Sequence, residues 1–258
     1  MIDILYNLGL GTGLTLFIAL SISFSLAIYL TTHYLIRNAL KKNHERVGRT
    51  LFRVGASLLG LLLSITFANQ RVSYFTLKTT IEAEASKLVD IHIDLGLINS
   101  EESFLIQEKV REYVMSISDD GWLTLYEDPF KSRQFVQFLE IYEDINRLEV
   151  KDEFENGLKQ NLKNDIDQVS DFLQARVYST RRESNHLIYT SFFGLTVIMI
   201  LFAVYPPDKI TLGFLSVYVA FIGIVLYFIL MMSNPLRGPM QIEPGPFIIL
   251  KETIEANR

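Results

Sequence analysis

Four stretches of this chain carry no charged side chain: Ile4–Thr32, Val54–Gln70, Leu187–Pro207 and Ile210–Leu236. A bilayer core of about 30 Å is crossed by roughly 17–25 apolar residues in a helix. Each stretch reaches that length, Val54–Gln70 at its lower end, so the chain reads as an all-α integral membrane protein with four transmembrane helices. The spans are expected at about 8–36, 51–70, 187–205 and 210–233. The first segment has neither a basic leading region nor a small-x-small cleavage site, and reads as a retained helix rather than a signal peptide.

The stretch from Arg49 to Leu95 organises the rest. No proline interrupts it, and beyond Arg71 the apolar residues recur three and four apart as Tyr74, Leu77, Ile81, Leu88, Ile91 and Leu95, with Glu84 in the same series. Such spacing is the seam of a packed helix. One unbroken helix should therefore leave the membrane and continue outside it, capped at Gly96. Ala56, Gly60, Ser64 and Ala68 form a small-residue face on its membrane part, which suits close approach of a neighbouring helix within a bundle. Gly9 with Gly13 in the first span, and Ala220 with Gly223 in the fourth, give further small-residue faces.

Charge supplies the orientation. The 258 residues have a formal net charge of −5, unevenly spread. The connector 37–53 holds six Lys and Arg against the single Glu45, whereas 71–186 holds 14 Lys and Arg against 23 Asp and Glu, a net of −9. Short basic loops stay cytoplasmic, so the connector and the turn at 206–209 are expected inside. The 71–186 region and both termini are then expected outside, most naturally across a plasma (inner) membrane. The acidic block excludes nucleic acid as a natural partner. The chain thus divides into a transmembrane hairpin (1–70), an acidic helical extramembrane domain (71–186), a second transmembrane hairpin (187–235) and a Pro-rich turn with a short tail helix (236–258).

Within 71–186 three further helices are expected. One starts with a capping box of Asn99 and Glu102, has the apolar face Ile106, Val110, Tyr113 and Ile117, and ends at Asp119-Asp120-Gly121 before Trp122. Another follows Pro129 and carries Phe135, Phe138, Tyr142 and Ile145. The third carries Leu158, Leu162, Ile166, Val169 and Leu173, and with no proline before Pro206 it can run unbroken into the third span. Pro246 suits the first turn of a tail helix through Phe247, Leu250 and Ile254.

Chemistry is sparse. Glu84 stands at a seam position, either as a register-setting or water-facing residue or as a carboxylate that lines a vestibule or pairs with Arg176, Arg181 or Arg182. Asn69 and Gln70, at the outer end of the second span, are candidates to contact an ion or to satisfy neighbouring helices. Asp90, His92 and Asp94 point to different helix faces and do not form a metal set. No Gly-rich phosphate loop, nucleophile elbow or zinc-protease helix is present, so neither a catalytic residue nor a cofactor is expected, and an enzyme is the least favoured class.

Three motifs carry a family resemblance. Asn43-His44-Glu45-Arg46-Val47-Gly48 precedes the second span, Glu82-Ala83-Glu84-Ala85 with Leu88 follows it, and Pro235 with Gly238 marks the C-terminal turn. Together, over roughly Leu35 to Ile254, they resemble the bestrophin-like group of four-span membrane proteins, departing from its turn at Ser233 and Leu236. The resemblance implies a membrane protein and, through the bestrophins, a homo-oligomeric channel for inorganic anions. A non-conducting scaffold or sensor, with the acidic domain docking a partner, is the competing reading. Bestrophins keep their large extramembrane part in the cytosol, whereas the charge pattern here places it outside.

Overall fold

A computed structural model describes residues 2–38, 42–98, 100–118, 133–180 and 185–256. The helices are α1 (Ile2–Asn7), α2 (Leu10–Ile36), α3 (Lys42–Ile98), α4 (Glu101–Ser116), α5 (Arg133–Arg147), α6 (Glu153–Thr180), α7 (Asn185–Phe202), α8 (Lys209–Met232) and α9 (Gly245–Ala256), and no strand occurs among the described residues. Three helices, α2, α3 and α8, are long and apolar enough to cross a membrane; Tyr189–Phe202 of α7 is a shorter apolar helix. The contacts divide the chain into two units. The first comprises 1–74, 183–234 and 238–241; the second comprises 75–182, 235–237 and 242–258.

In the first unit, α2 packs on both α7 and α8. Its buried stripe is Gly13, Phe17, Ser21, Ser25, Tyr29 and His33, recurring every fourth residue, one face of a helix. Glycine at position 13 has a specific cause: a Cβ there would lie 2.6 Å from the Tyr227 hydroxyl of α8. Gly223 faces Ser21 across the same crossing, and Phe17 meets Tyr227 and Phe192 with ring centroids 5.8 and 6.3 Å apart. Gly9, by contrast, is the N-cap of α2, and Ala220 is half-buried. The His33 ring contacts the Ala203 carbonyl at 2.8 Å, and the Tyr29 hydroxyl donates to Tyr205 O at 3.2 Å, so two side chains serve carbonyls that the end of α7 leaves without helical partners.

The face of α3 that packs is not the small-residue face. Leu59, Leu63, Thr66 and Gln70 are the buried positions, and α3 meets α7 where a Cβ on Gly55 would lie 2.7 Å from Ile198 Cδ1 and one on Gly194 2.9 Å from Leu59 Cδ1. Gly60, Ser64 and Ala68 are exposed and Ala56 half-buried, with nothing within 4 Å of a Cβ at Gly60. At about 100° per residue, that stripe lies roughly a third of a turn from the buried one. Among the described residues the packed face of this segment is thus the Leu59 and Leu63 face rather than the stripe centred on Gly60 and Ser64. The end of the third apolar segment also moves. The helix stops at Phe202 rather than near 205, because Pro206-Pro207 disfavours helical backbone in the residues before it.

The second unit is built from the rest of α3 with α4, α5, α6 and α9. Leu77, Ile81, Ala85, Leu88, Ile91 and Leu95 are buried along α3, and the same 3–4 spacing continues to Ile98, 2% exposed. That continuation explains why Gly96 does not end the helix: burying Ile98 rewards one more turn, and Gly96 sits inside the helix beside Gln107. The cap of α4 likewise differs from the expected one. Helix α4 starts at Glu101, so Ser100 is its N-cap and Ser103 its reciprocal partner at 3.0 Å, while Glu102 instead accepts from the Glu149 amide. Ile106, Val110, Tyr113 and Ile117 are buried, as are Phe138, Ile141 and Ile145 of α5 and Leu158, Leu162, Ile166, Val169 and Leu173 of α6. Asn99, the 119–121 end of α4, Trp122, Pro129, Arg181, Arg182 and the passage from α6 into α7 lie outside the described residues.

Candidate functional site

Charged residues at seam positions of two helices meet in the second unit. Glu84 occupies the α3 seam between Ile81 and Leu88. Arg176 continues the α6 series Leu158, Leu162, Ile166, Val169 and Leu173 by the next step of three. Both side chains are 0% exposed, and Arg176 Nη2 donates to Glu84 Oε1 at 2.9 Å. Tyr113, from the buried face of α4, donates to the same carboxylate oxygen at 3.4 Å and accepts from Arg176 Nη2 at 3.4 Å. On another side the Arg176 guanidinium carbon stands 5.5 Å from the ring centroid of Phe247, on the buried face of α9, within the range of a cation–π contact. One guanidinium thus touches α3, α4 and α9 at once.

The electrostatics are those of a charge pair taken out of water. Burial pushes the Glu84 carboxyl above its ordinary range, while the Arg176 charge and then the Tyr113 hydrogen bond pull it down. Burial also pushes the Tyr113 phenol up, and the Glu84 charge adds to that, so this hydroxyl stays a neutral donor. Glu84 Oε2 is buried and has no hydrogen-bond partner among the described residues. Of the two functional readings of Glu84 open to the sequence, a fully buried carboxylate held by Arg176 corresponds to pairing.

The remaining candidates lie apart from this cluster. Asn69 is exposed, whereas Gln70 is 6% exposed and belongs to the buried stripe of α3 in the first unit. Glu82 is exposed. Asp90 pairs with Lys87 at 3.2 Å, and Lys87 reaches Asp165 of α6 at 2.9 Å. These residues, with Asp94, Asn161, Asn164 and Gln168, line a polar groove of about 440 Å³. Burial, then Asp165 and Asp90, hold the Asp94 carboxyl above its usual range. His92 is lowered, mainly by burial. Among the described residues no group of three or more His, Asp or Glu could hold a metal ion.

The motif residues have local roles. Gly48 is buried, and a Cβ on it would lie 2.5 Å from Val204 Cγ1. His44 is exposed, and Glu45 pairs with Arg49 at 3.6 Å. Pro235 is buried and its carbonyl accepts from the Ile242 amide at 2.7 Å. Gly238 has φ +91°, and a Cβ there would lie 2.6 Å from Tyr6 Cδ1, so the left-handed backbone and the crowding both demand glycine. With these residues in place, the match that decides kinship is that of residues 19–247 to the Bestrophin-like domain. The chain belongs to the bestrophin-like family. No curated protein and no solved structure matches it.

Sequence reasoning singled out Glu84 and Arg176 but missed two other parts of the bestrophin-like chain's buried cluster. Tyr113 reads as one more apolar position on α4, and Phe247 as one more on the tail helix. Neither leaves a periodic signal of its own; the step from Leu173 to Arg176 marks only the arginine, as a charge in a seam like Glu84 in its own.

Proposed function

We propose that this protein is a four-span member of its family whose copies assemble into a passive pathway for inorganic anions. In this reading α2, residues 54–70 of α3, α7 with the apolar residues that follow it, and α8 cross a plasma (inner) membrane. The 37–53 connector and the 206–209 turn lie in the cytoplasm; 71–186 and both termini lie outside. No reaction is catalysed. The observation that carries the reading is a family match over 19–247 on helices whose membrane segments hold no charged residue. Proton-coupled transport ordinarily uses intramembrane carboxylates, whereas a passive pore is served by hydroxyls, backbone and apolar constrictions. Exposed Asn69 is the candidate pore-mouth side chain, and Gln70 supports its helix from the buried side.

Purified protein in planar bilayers should give chloride-selective currents that Asn69→Leu alters in conductance or selectivity. A monodisperse monomer that passes no current under any ion gradient would overturn the channel reading. It would favour a docking scaffold, for which the net −9 of 71–186 is the supporting observation. Topology is tested separately. The chain has no cysteine, so single cysteines at exposed Lys151 and Lys209 can be labelled cleanly with a membrane-impermeant thiol reagent in intact cells. Lys151→Cys should label and Lys209→Cys should not; the reverse would invert the orientation.

A further inference from the structure

Arg46, Arg49 and Arg53 fall within about a sixth of a turn of one another on the first turns of α3, at roughly 100° per residue. All three are exposed. Arg46 and Arg53 have no ion-pair partner among the described residues, while Arg49 shares Glu45 at 3.6 Å and lies 5.3 Å over the Tyr205 ring. The face therefore keeps a positive surplus after its one local carboxylate is counted. Its depth is set by the sequence, because Arg53 is the last charge before the uncharged segment 54–70. At about 1.5 Å per residue the three arginines occupy some 10 Å of helix axis, the thickness of a headgroup layer and its approach.

The same helix face continues into the apolar segment as Ser57, Gly60 and Ser64. Both serine hydroxyls donate back to their own helix, Ser57 to Arg53 O at 3.0 Å and Ser64 to Gly60 O at 2.8 Å, so the face presents no unmet polar group to hydrocarbon. A Cβ at Gly60 would meet nothing within 4 Å. A shallow small-residue track thus runs up from a triple arginine.

We infer that this face is a binding site for an anionic phospholipid. Its phosphate is held by Arg46, Arg49 and Arg53, and an acyl chain lies along Ser57, Gly60 and Ser64. Charge complementarity selects this occupant: an exposed face with a positive surplus, placed directly before the uncharged segment 54–70, matches an anionic headgroup above an acyl chain. Guanidinium groups suit phosphate by offering paired donors, and a basic residue at a membrane surface contributes about a fivefold preference for anionic lipid.

The test is native mass spectrometry of the purified protein in nonionic detergent with equimolar phosphatidylglycerol and phosphatidylcholine. The native chain should retain phosphatidylglycerol in preference, and added salt should weaken that preference. Arg46→Gln with Arg49→Gln and Arg53→Gln should lower it by about fivefold per arginine at unchanged oligomer mass, while the three Arg→Lys changes should preserve most of it. Equal retention of the two lipids by the native chain, or undiminished phosphatidylglycerol retention by the Gln variant, would overturn the inference. So would loss of an oligomer in the Gln variant without loss of lipid, which would assign the face to a second copy.

Discussion

Replacing Arg176 with methionine should destabilise the protein by an amount that grows as pH rises, and replacing Glu84 with glutamine should not show a deficit that grows with pH. Both side chains are 0% exposed, so removal of either leaves the other's charge in a site without water. Breaking a buried pair in this way costs about 3–5 kcal/mol. The two remaining charges differ in how they can be relieved. A guanidinium does not deprotonate in proteins, so Arg176 remains charged at every pH in the Glu84→Gln variant. Glu84 in the Arg176→Met variant can bind a proton. Burial already holds its carboxyl above the ordinary 4.5 in the native protein, and Arg176 is the larger of the two groups opposing that rise. Without Arg176 the folded value climbs further. A carboxyl raised in the folded state favours folding below its ordinary value, and that contribution disappears as pH rises through the folded value. The deficit of Arg176→Met should therefore be smallest near about pH 5 and largest near pH 8, changing by at most about 1.4 kcal/mol for each unit by which the loss of Arg176 raises the folded value above the native one. Removing both charges, as Glu84→Leu with Arg176→Met, should restore stability to within about 1 kcal/mol of native or better. Helical circular dichroism followed through urea unfolding at the two pH values measures all three variants. An Arg176→Met deficit that is equal at both, or a double variant less stable than either single one, would refute the reasoning.

Other positions give shorter tests. Gly13→Val should destabilise the first unit by about 1–3 kcal/mol, because a Cβ there lies 2.6 Å from the Tyr227 hydroxyl; thermal melts in detergent would show it, and an unchanged midpoint would mean α2 and α8 do not cross at this residue. Gly238→Ala should cost about 1–3 kcal/mol through its φ of +91°, whereas Gly245→Ala, with nothing within 4 Å of the added Cβ, should be tolerated. Gly60→Leu should leave the stability of a monomer within about 0.5 kcal/mol of native, as its side chain enters open space. A larger loss, with a fall in oligomer size by gel filtration, would show a second copy packed on that face.

The sequence by itself determined the class of the fold and the course of its longest element. Charge-free segments set where helices can cross a membrane, since an uncompensated charge in hydrocarbon is too costly. The 3–4 spacing from Leu77 to Leu95, without proline, required one long helix with one buried edge. The period also exposed Glu84 as a charge where an apolar residue belongs.

Tertiary structure alone decided which faces meet. Small residues permit close packing but do not compel it. Ala56, Gly60, Ser64 and Ala68 form the more regular stripe, yet the contact with α7 runs through Gly55, Leu59 and Gly194, because the complementary surface lies on α7, remote in sequence. Helix ends followed the same rule: Ile98 drew α3 past Gly96 by finding a buried place for itself. Likewise Tyr113 and Phe247 gather about Arg176 only because α4 and α9 pack together, and a partner supplied from another helix leaves no periodic trace in either segment. Local patterns fix what a residue can do; the neighbours that folding brings to it fix what it does.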